Sequence, residues 1–272
     1  FFFQPDDGIR DSVASRGLGD VYKRQVYDYL AEITMSIMAR ARAKDSTKGY
    51  AVDFVSSVLK LNLKQIAKQK IKILSNAGGV NPVACAEAIR ELVEELNLDL
   101  NVSVVLGDDL IDKKDQFSKL HIKEMYSNDL FPQEEKIASI NAYLGAFPIA
   151  KALSEGADIV ITGRSVDSAV TLGACIYTFG WNENDYDKLA AGSLAGHIIE
   201  CGTQSTGGNF TDWELVSKNL HEIGYPIVEV SDNGSFICTK SKDTAGMVSF
   251  GTVASEKANN NLAPCLIIPP HS

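Results

Sequence analysis

The residues best suited to chemistry in this 272-residue chain fall in one short run, His197-Ile-Ile-Glu200-Cys201. On a helix, positions i, i+3 and i+4 share a face, so imidazole, carboxylate and thiol would stand within a turn of each other. Such a group can bind a divalent transition metal, or let His197 draw the proton from Cys201 to make a nucleophile. A buried cysteine beside a hydrogen-bonded core histidine would leave the same pattern. With no C-x-x-C partner the run carries only a modest zinc signal, and no metal is assigned.

Four polar loops hold the other candidates. Asn76-Ala-Gly78-Gly79 stands just before a helix start, where free amides and the helix dipole could hold a phosphate or carboxylate. It is neither G-x-G-x-x-G nor a Walker sequence, and a plain tight turn explains it equally well. Gly107-Asp108-Asp109 sets two carboxylates at a strand end, able to hold a hard cation, bond a ribose or split their pKa values. The alternative is two acids capping the next segment. Gly163-Arg164 and Asp167 occupy the matching place after a later strand, where a guanidinium could grip an anion or simply pair with Asp167. Thr206-Gly207-Gly208-Asn209 looks like an oxyanion-hole or phosphate-gripping turn, or a structural turn anchored by Phe210.

The elements expected to position these loops alternate between apolar strand-like runs and amphipathic helices. That pattern argues for a three-layer α/β fold, a mainly parallel sheet with flanking helices. Helices are expected over Ile33 to Ala43 and Val55 to Ala67. A βαβ unit follows: strand Ile71 to Leu74, N-cap Asn81 with Pro82 at the first helical position, helix Ala84 to Leu96, and strand Val102 to Leu106. After a charged, irregular stretch from Asp112 to Glu135 come helix Tyr143 to Ser154, strand Asp158 to Ile161, and helices Ser168 to Phe179 and Leu189 to Cys201. Pro226 to Ser231 and Ser235 to Thr239 flank Asp232-Asn233-Gly234, a C-terminal antiparallel hairpin element. A subdomain is expected from about residue 182. In parallel sheets of this kind the strand-end loops gather at one edge, where ligands bind.

Residues 1 to 25 read as the conceptual translation of a sequencing adapter and are set aside as non-native. The α/β domain is then residues 26 to 272, expected to lack its native start and its continuation. The apolar run from Cys265 to Pro270 is expected to be a strand that stops without a partner.

Composition bounds the partners. The chain is 45% hydrophobic and 22% charged, with 26 Lys and Arg against 35 Asp and Glu, a formal net charge of −9. That apolar content can bury a core, and the acidic balance gives neither nucleic-acid phosphates nor anionic membranes a general attraction. The five cysteines are odd in number and scattered, which fits a reducing, cytoplasmic setting.

Leu194-Ala-Gly-His-Ile-Ile-Glu-Cys-Gly202, Thr206-Gly-Gly-Asn-Phe-Thr-Asp-Trp213, Ile223-Gly-Tyr-Pro-Ile227 and Glu229-Val-Ser-Asp-Asn-Gly-Ser-Phe236 resemble the acyclic terpene utilisation family, AtuA. Asn76 to Pro82, Gly107 to Asp109 and Gly156 to Arg164 fit it in the same order. The resemblance implies a bacterial cytoplasmic protein of acyclic isoprenoid catabolism, a pathway that runs through coenzyme A thioesters and a biotin-dependent acyl-CoA carboxylase. It supplies a pathway and no reaction.

Two functions follow as expectations. The first is an enzyme on an acyl-CoA or related acid, with Arg164 and the glycine loops holding the anionic portion and His197, Glu200, Cys201 and Asp167 as acid-base or nucleophilic candidates. The second is a non-catalytic accessory subunit, in an oligomer or with the carboxylase. Arg164, Asp108, Gly207 and His197 lining one pocket would favour the enzyme.

Overall fold

A computed structural model describes residues 24 to 258. Most of residues 1 to 25, and the apolar run from Cys265, lie outside the described residues. The elements run β1 (Arg24–Tyr27), α1 (Glu32–Lys44), a π-helical segment (Phe54–Leu59) leading directly into α2 (Lys60–Gln69), β2 (Lys72–Ser75), α3 (Pro82–Glu95), β3 (Val102–Val105), α4 (Lys114–Lys119), α5 (Phe147–Ser154), β4 (Ile159–Thr162), α6 (Ala169–Phe179), α7 (Tyr186–Glu200), β5 (Pro226–Val230), β6 (Phe236–Lys240) and α8 (Phe250–Ala258).

The expected α/β class is what the chain adopts. β1, β2, β4 and β3 form a four-stranded parallel sheet in that order, and β5 pairs with β6 in a separate antiparallel ribbon. β2 and β3 are not neighbours: β4 inserts between them, as its uninterrupted Ile-Val-Ile-Thr run, buried at every position, suits a central strand. Arg24 and Gln25, within the segment set aside above, pair with Lys72 and Ile73 at the β1 edge.

Strand periodicity builds the three layers. Ile73, Ile159 and Ile161 face one core with Phe54, Leu59, Leu63, Ile66 and Ile89, beneath α2 and α3. Leu74 and Val160 point the other way, into a core with Ile149, Leu153, Val170 and Ile176 of α5 and α6. Two expected boundaries shift. The helix expected from Tyr143 starts at Phe147, because residues before it run extended and Leu144 bridges to Ser165. The helix expected from Leu189 starts at Tyr186.

Two glycines decide where α7 sits. A methyl at Gly196 would stand 2.6 Å from the Ser168 carbonyl oxygen, and one at Gly192 would stand 2.7 Å from Leu172 Cδ1. Only glycine lets α7 approach the start of α6 this closely. That approach carries Glu200, the last residue of α7, to the carboxyl edge of the sheet.

Candidate functional site

The ends of all four parallel strands feed polar residues to one edge. Asp28 follows β1, Asn76 follows β2, Asp108 follows β3, and Arg164 and Asp167 follow β4. Asn76 is fully buried and ties two of these loops together. Its Nδ2 donates to Asp28 Oδ1 at 2.5 Å, while its Oδ1 accepts from the Tyr29 amide at 2.8 Å. The Leu30 amide also donates to Asp28 Oδ1, at 3.1 Å.

The end of α7 meets this loop. Glu200 is hydrogen-bonded to Asp28, Cys201 Sγ donates to Glu200 Oε1 at 2.9 Å, and His197 Nδ1 lies 3.5 Å from that same oxygen. Burial pushes the Glu200 carboxyl up to about 8, and the charges of Asp28 and Asp167 add to the rise. Burial raises Asp28 as well. The hydrogen bond between them raises Glu200 and lowers Asp28, the direction expected where Glu200 donates and Asp28 accepts. This is the carboxyl pair arrangement in which one acid stays protonated so that its neighbour can ionise.

The thiol in this cluster is a donor. Cys85 and Cys175 are core residues, their thiols pushed up by burial to about 12 and about 11. Among the described residues, no three His, Cys, Asp or Glu side chains form a group that could hold a metal ion.

Arg164 is the second centre. Its Nη1 donates to Asp167 Oδ1 at 2.6 Å and to the Leu30 carbonyl at 3.1 Å; its Nη2 donates to the Tyr143 hydroxyl at 3.1 Å and Glu32 Oε1 at 3.3 Å. The guanidinium also stacks on the Tyr143 ring, 4.2 Å from its centroid. The Tyr143 hydroxyl bonds to Glu32, and that bond, ahead of Arg164, holds the Glu32 carboxyl below its ordinary range. Arg164 is 3% exposed, with Nε buried and unpartnered, as is Ser165 Oγ. Each Nη already makes two bonds, so the expected anion grip is spent on the protein itself.

The remaining expected residues make bonds within the protein. Asp108 is buried and accepts from the Arg164 amide and from Asn141 Nδ2, both at 2.8 Å. It fills the space beside Gly163, where a methyl would stand 2.4 Å from its Oδ2. Burial raises its carboxyl. Asp109 turns outward to Arg42, 2.9 Å away, so the two acids do not act as a pair. Gly107 adopts φ +121 at this turn.

The two glycine loops use their amides internally. Gly78 N donates to the Thr162 carbonyl and Gly79 N to that of Asn76. Gly207 N donates to Gln204 and Gly208 N to Thr203, while Thr206 Oγ1 bonds to the Gly224 carbonyl at 2.6 Å. Asn209 is exposed. These amides are not offered to an anion.

A cleft of about 470 Å³ opens beside Arg164, between α1 and the strap of residues 131 to 141. Of Arg164, Asp108, Gly207 and His197, only Arg164 lines it.

Residues 18–256 match the acyclic terpene utilisation family protein AtuA. The chain belongs to the AtuA family. No curated protein and no solved structure matches it. The match to AtuA takes in every strand end and the α7 terminus described above. It also reaches back to residue 18, inside the segment set aside as adapter-like. Among the described residues, no helix is long and apolar enough to cross a membrane.

The sequence run at His197 led to half of the acid pair. Asp28, Tyr143 and Glu32 were missed because none lies in a motif. The usable signal for Asp28 was an acid directly after the apolar Val26-Tyr27.

Proposed function

We propose that this AtuA-family chain serves acyclic terpene utilisation as a proton-transfer enzyme on an acyl-CoA thioester or related carboxylic acid. One observation carries the reading: the buried Glu200 carboxyl, hydrogen-bonded to Asp28 at the carboxyl edge of the parallel sheet, is raised by burial to about 8. A protonated Glu200 can donate to a carbonyl oxygen while the Asp28 carboxylate draws a proton from the adjacent carbon. His197 and Cys201 position Glu200, and Asp167 sets the negative potential that keeps its proton in place. The coenzyme A portion receives no grip from the glycine loops, whose amides are committed.

The test is to incubate the purified protein with a panel of acyl-CoA thioesters. Turnover of one of them, reduced about 100-fold or more by Glu200→Gln and by Asp28→Asn, is the expected result for direct acid-base roles. Turnover untouched by either change removes the assignment.

A second reading, an accessory subunit that works with an acyl-CoA carboxylase, draws on the fact that only one of the four anticipated residues lines the cleft. It expects stabilisation by ligand, or co-purification with the carboxylase, without turnover.

A further inference from the structure

Between Asp108 and Ala146, both buried, the chain leaves the body of the fold and no residue along the way is buried. The excursion is nevertheless a folded arm. It carries α4, a bridge that sets Lys123 beside Leu130, and the rings of Phe117 and Phe131 with centroids 6.1 Å apart. Glu124 N donates to the Asp129 carbonyl at 2.8 Å and Phe131 N to that of Ile122 at 3.0 Å. At the root, Leu110 N donates to the Ile140 carbonyl at 2.8 Å. Fixing a residue costs about 1–2 kcal/mol in backbone entropy, and a hydrogen bond returns only about 1 kcal/mol net. A folded arm without a buried residue therefore draws its stability from a surface that it covers elsewhere.

The outer end of the arm is apolar. Leu120, Ile122, Met125, Tyr126 and Leu130 are all exposed, Met125 by 76% and Tyr126 by 84%. Taking roughly 150–200 Å² for a large side chain, these five offer on the order of 500 Å². That is more than half of the roughly 800 Å² that each partner contributes to a stable interface.

The charges select what covers it. The first limb, Asp112 to Lys123, carries four lysines against two acids, and the second, Glu124 to Lys136, carries four acids against one lysine. Among the described residues, no ion pair neutralises Lys113, Lys119 or Lys123. A wholly basic or wholly acidic partner would match one limb and oppose the other. A two-fold axis removes the conflict, because it sets each limb against the opposite limb of an identical arm. The chain as a whole, at −9, repels its own copies, whereas the arm, with five lysines against six acids, is close to neutral.

We infer that the arm is a dimerisation surface, packing across a two-fold axis on the arm of a second copy of this chain. The lysine limb of each faces the acidic limb of the other, around a shared apolar centre at Met125 and Tyr126. The inference does not depend on the acid-base reading.

Sedimentation equilibrium of the purified chain at concentrations up to about 100 μM, where even a weak specific dimer forms, is expected to show a dimer. Tyr126→Asp should weaken it about 30-fold or more, as loss of a central apolar contact does. Reversing the basic limb (Lys113→Glu, Lys119→Glu and Lys123→Glu together) should give a monomer. So should reversing the acidic limb (Asp129→Lys, Glu134→Lys and Glu135→Lys together). Glu124 is left in place, because its carboxylate accepts from the Tyr126 and Ser127 amides. Mixing the two reversed chains should restore a dimer containing one of each, since every limb again meets its opposite. The arm adds no residue to the core, so the far-UV circular dichroism of all three variants should match the parent's. A parent that stays monomeric, a dimer that survives Tyr126→Asp or either reversal, or reversed chains that remain apart when mixed would each overturn the inference. Thioester turnover by a monomeric parent would overturn it while leaving the roles of Glu200 and Asp28 intact.

Discussion

Two groups of carboxylates meet at the same sheet edge and behave in opposite ways. Glu32 and Asp167 share a guanidinium, and Glu32 stays ionised below its usual range. Asp28 and Glu200 are hydrogen-bonded to each other, and burial lifts both. A hydroxyl donor and a fixed guanidinium favour the ionised form of the first group, whereas burial favours the protonated form of the second, which so retains the capacity to move a proton. Asp167 belongs to both groups, bonded to Arg164 and adding its charge to the pair.

The largest expected effect comes from removing the cation. Arg164→Met strips the Leu30 carbonyl, Tyr143, Glu32 and Asp167 of their shared donor. It should cost roughly 3 kcal/mol in urea denaturation, the low end for breaking a buried pair because both carboxylates are partly solvated. A loss under about 1 kcal/mol, the level of a surface ion pair, would show that Arg164 does not organise this edge.

The acid pair should reveal itself in the pH dependence of stability. The Glu200 carboxyl titrates at an ordinary value of 4.5 when unfolded and near 8 when folded. Between those values the folded state holds a proton that the unfolded state has lost. Its contribution is fully present below 4.5 and is lost as pH rises toward 8, with a slope of up to about 1.4 kcal/mol per pH unit. Glu200→Gln should flatten that window and be more stable than the parent at pH 8. An unchanged slope would mean the pair does not share a proton.

Gly196→Ala sharpens the contrast further. Its methyl would press on the Ser168 carbonyl and push α7 outward, costing about 1–3 kcal/mol while moving Glu200 away from Asp28. The pH slope should shrink in this variant although Arg164 and its partners are untouched. Tyr143→Phe is the mildest change, about 1 kcal/mol for one hydrogen bond at a half-exposed site. It should let the Glu32 carboxyl titrate higher, readable by NMR, with the acid pair unaffected.

Much of this fold was legible in the chain. The N-cap at Asn81 with Pro82 behind it, the buried run of β4 and the hairpin around Asn233 are local signals, and local physics settles them. The π-helical start of the second helix and the extended run at Tyr143 were not legible, because tertiary contacts select them over helical propensity. At the site, Glu200, Cys201 and His197 could be grouped by helical spacing alone. Their partner could not, since Asp28 lies more than 160 residues earlier in sequence and reaches Glu200 only through strand order and the Gly196 approach.

The sequence by itself determined the α/β class, the AtuA family and the set of polar strand ends, because periodicity, capping and motif order are properties of neighbouring residues. Which polar groups meet was decided only by the tertiary structure. It spent Arg164 and the glycine amides on internal bonds and brought Asp28 and Glu200 together in a buried, hydrogen-bonded pair. The reason is physical: a donor's availability depends on every acceptor packed around it, and that count exists only once the chain has folded.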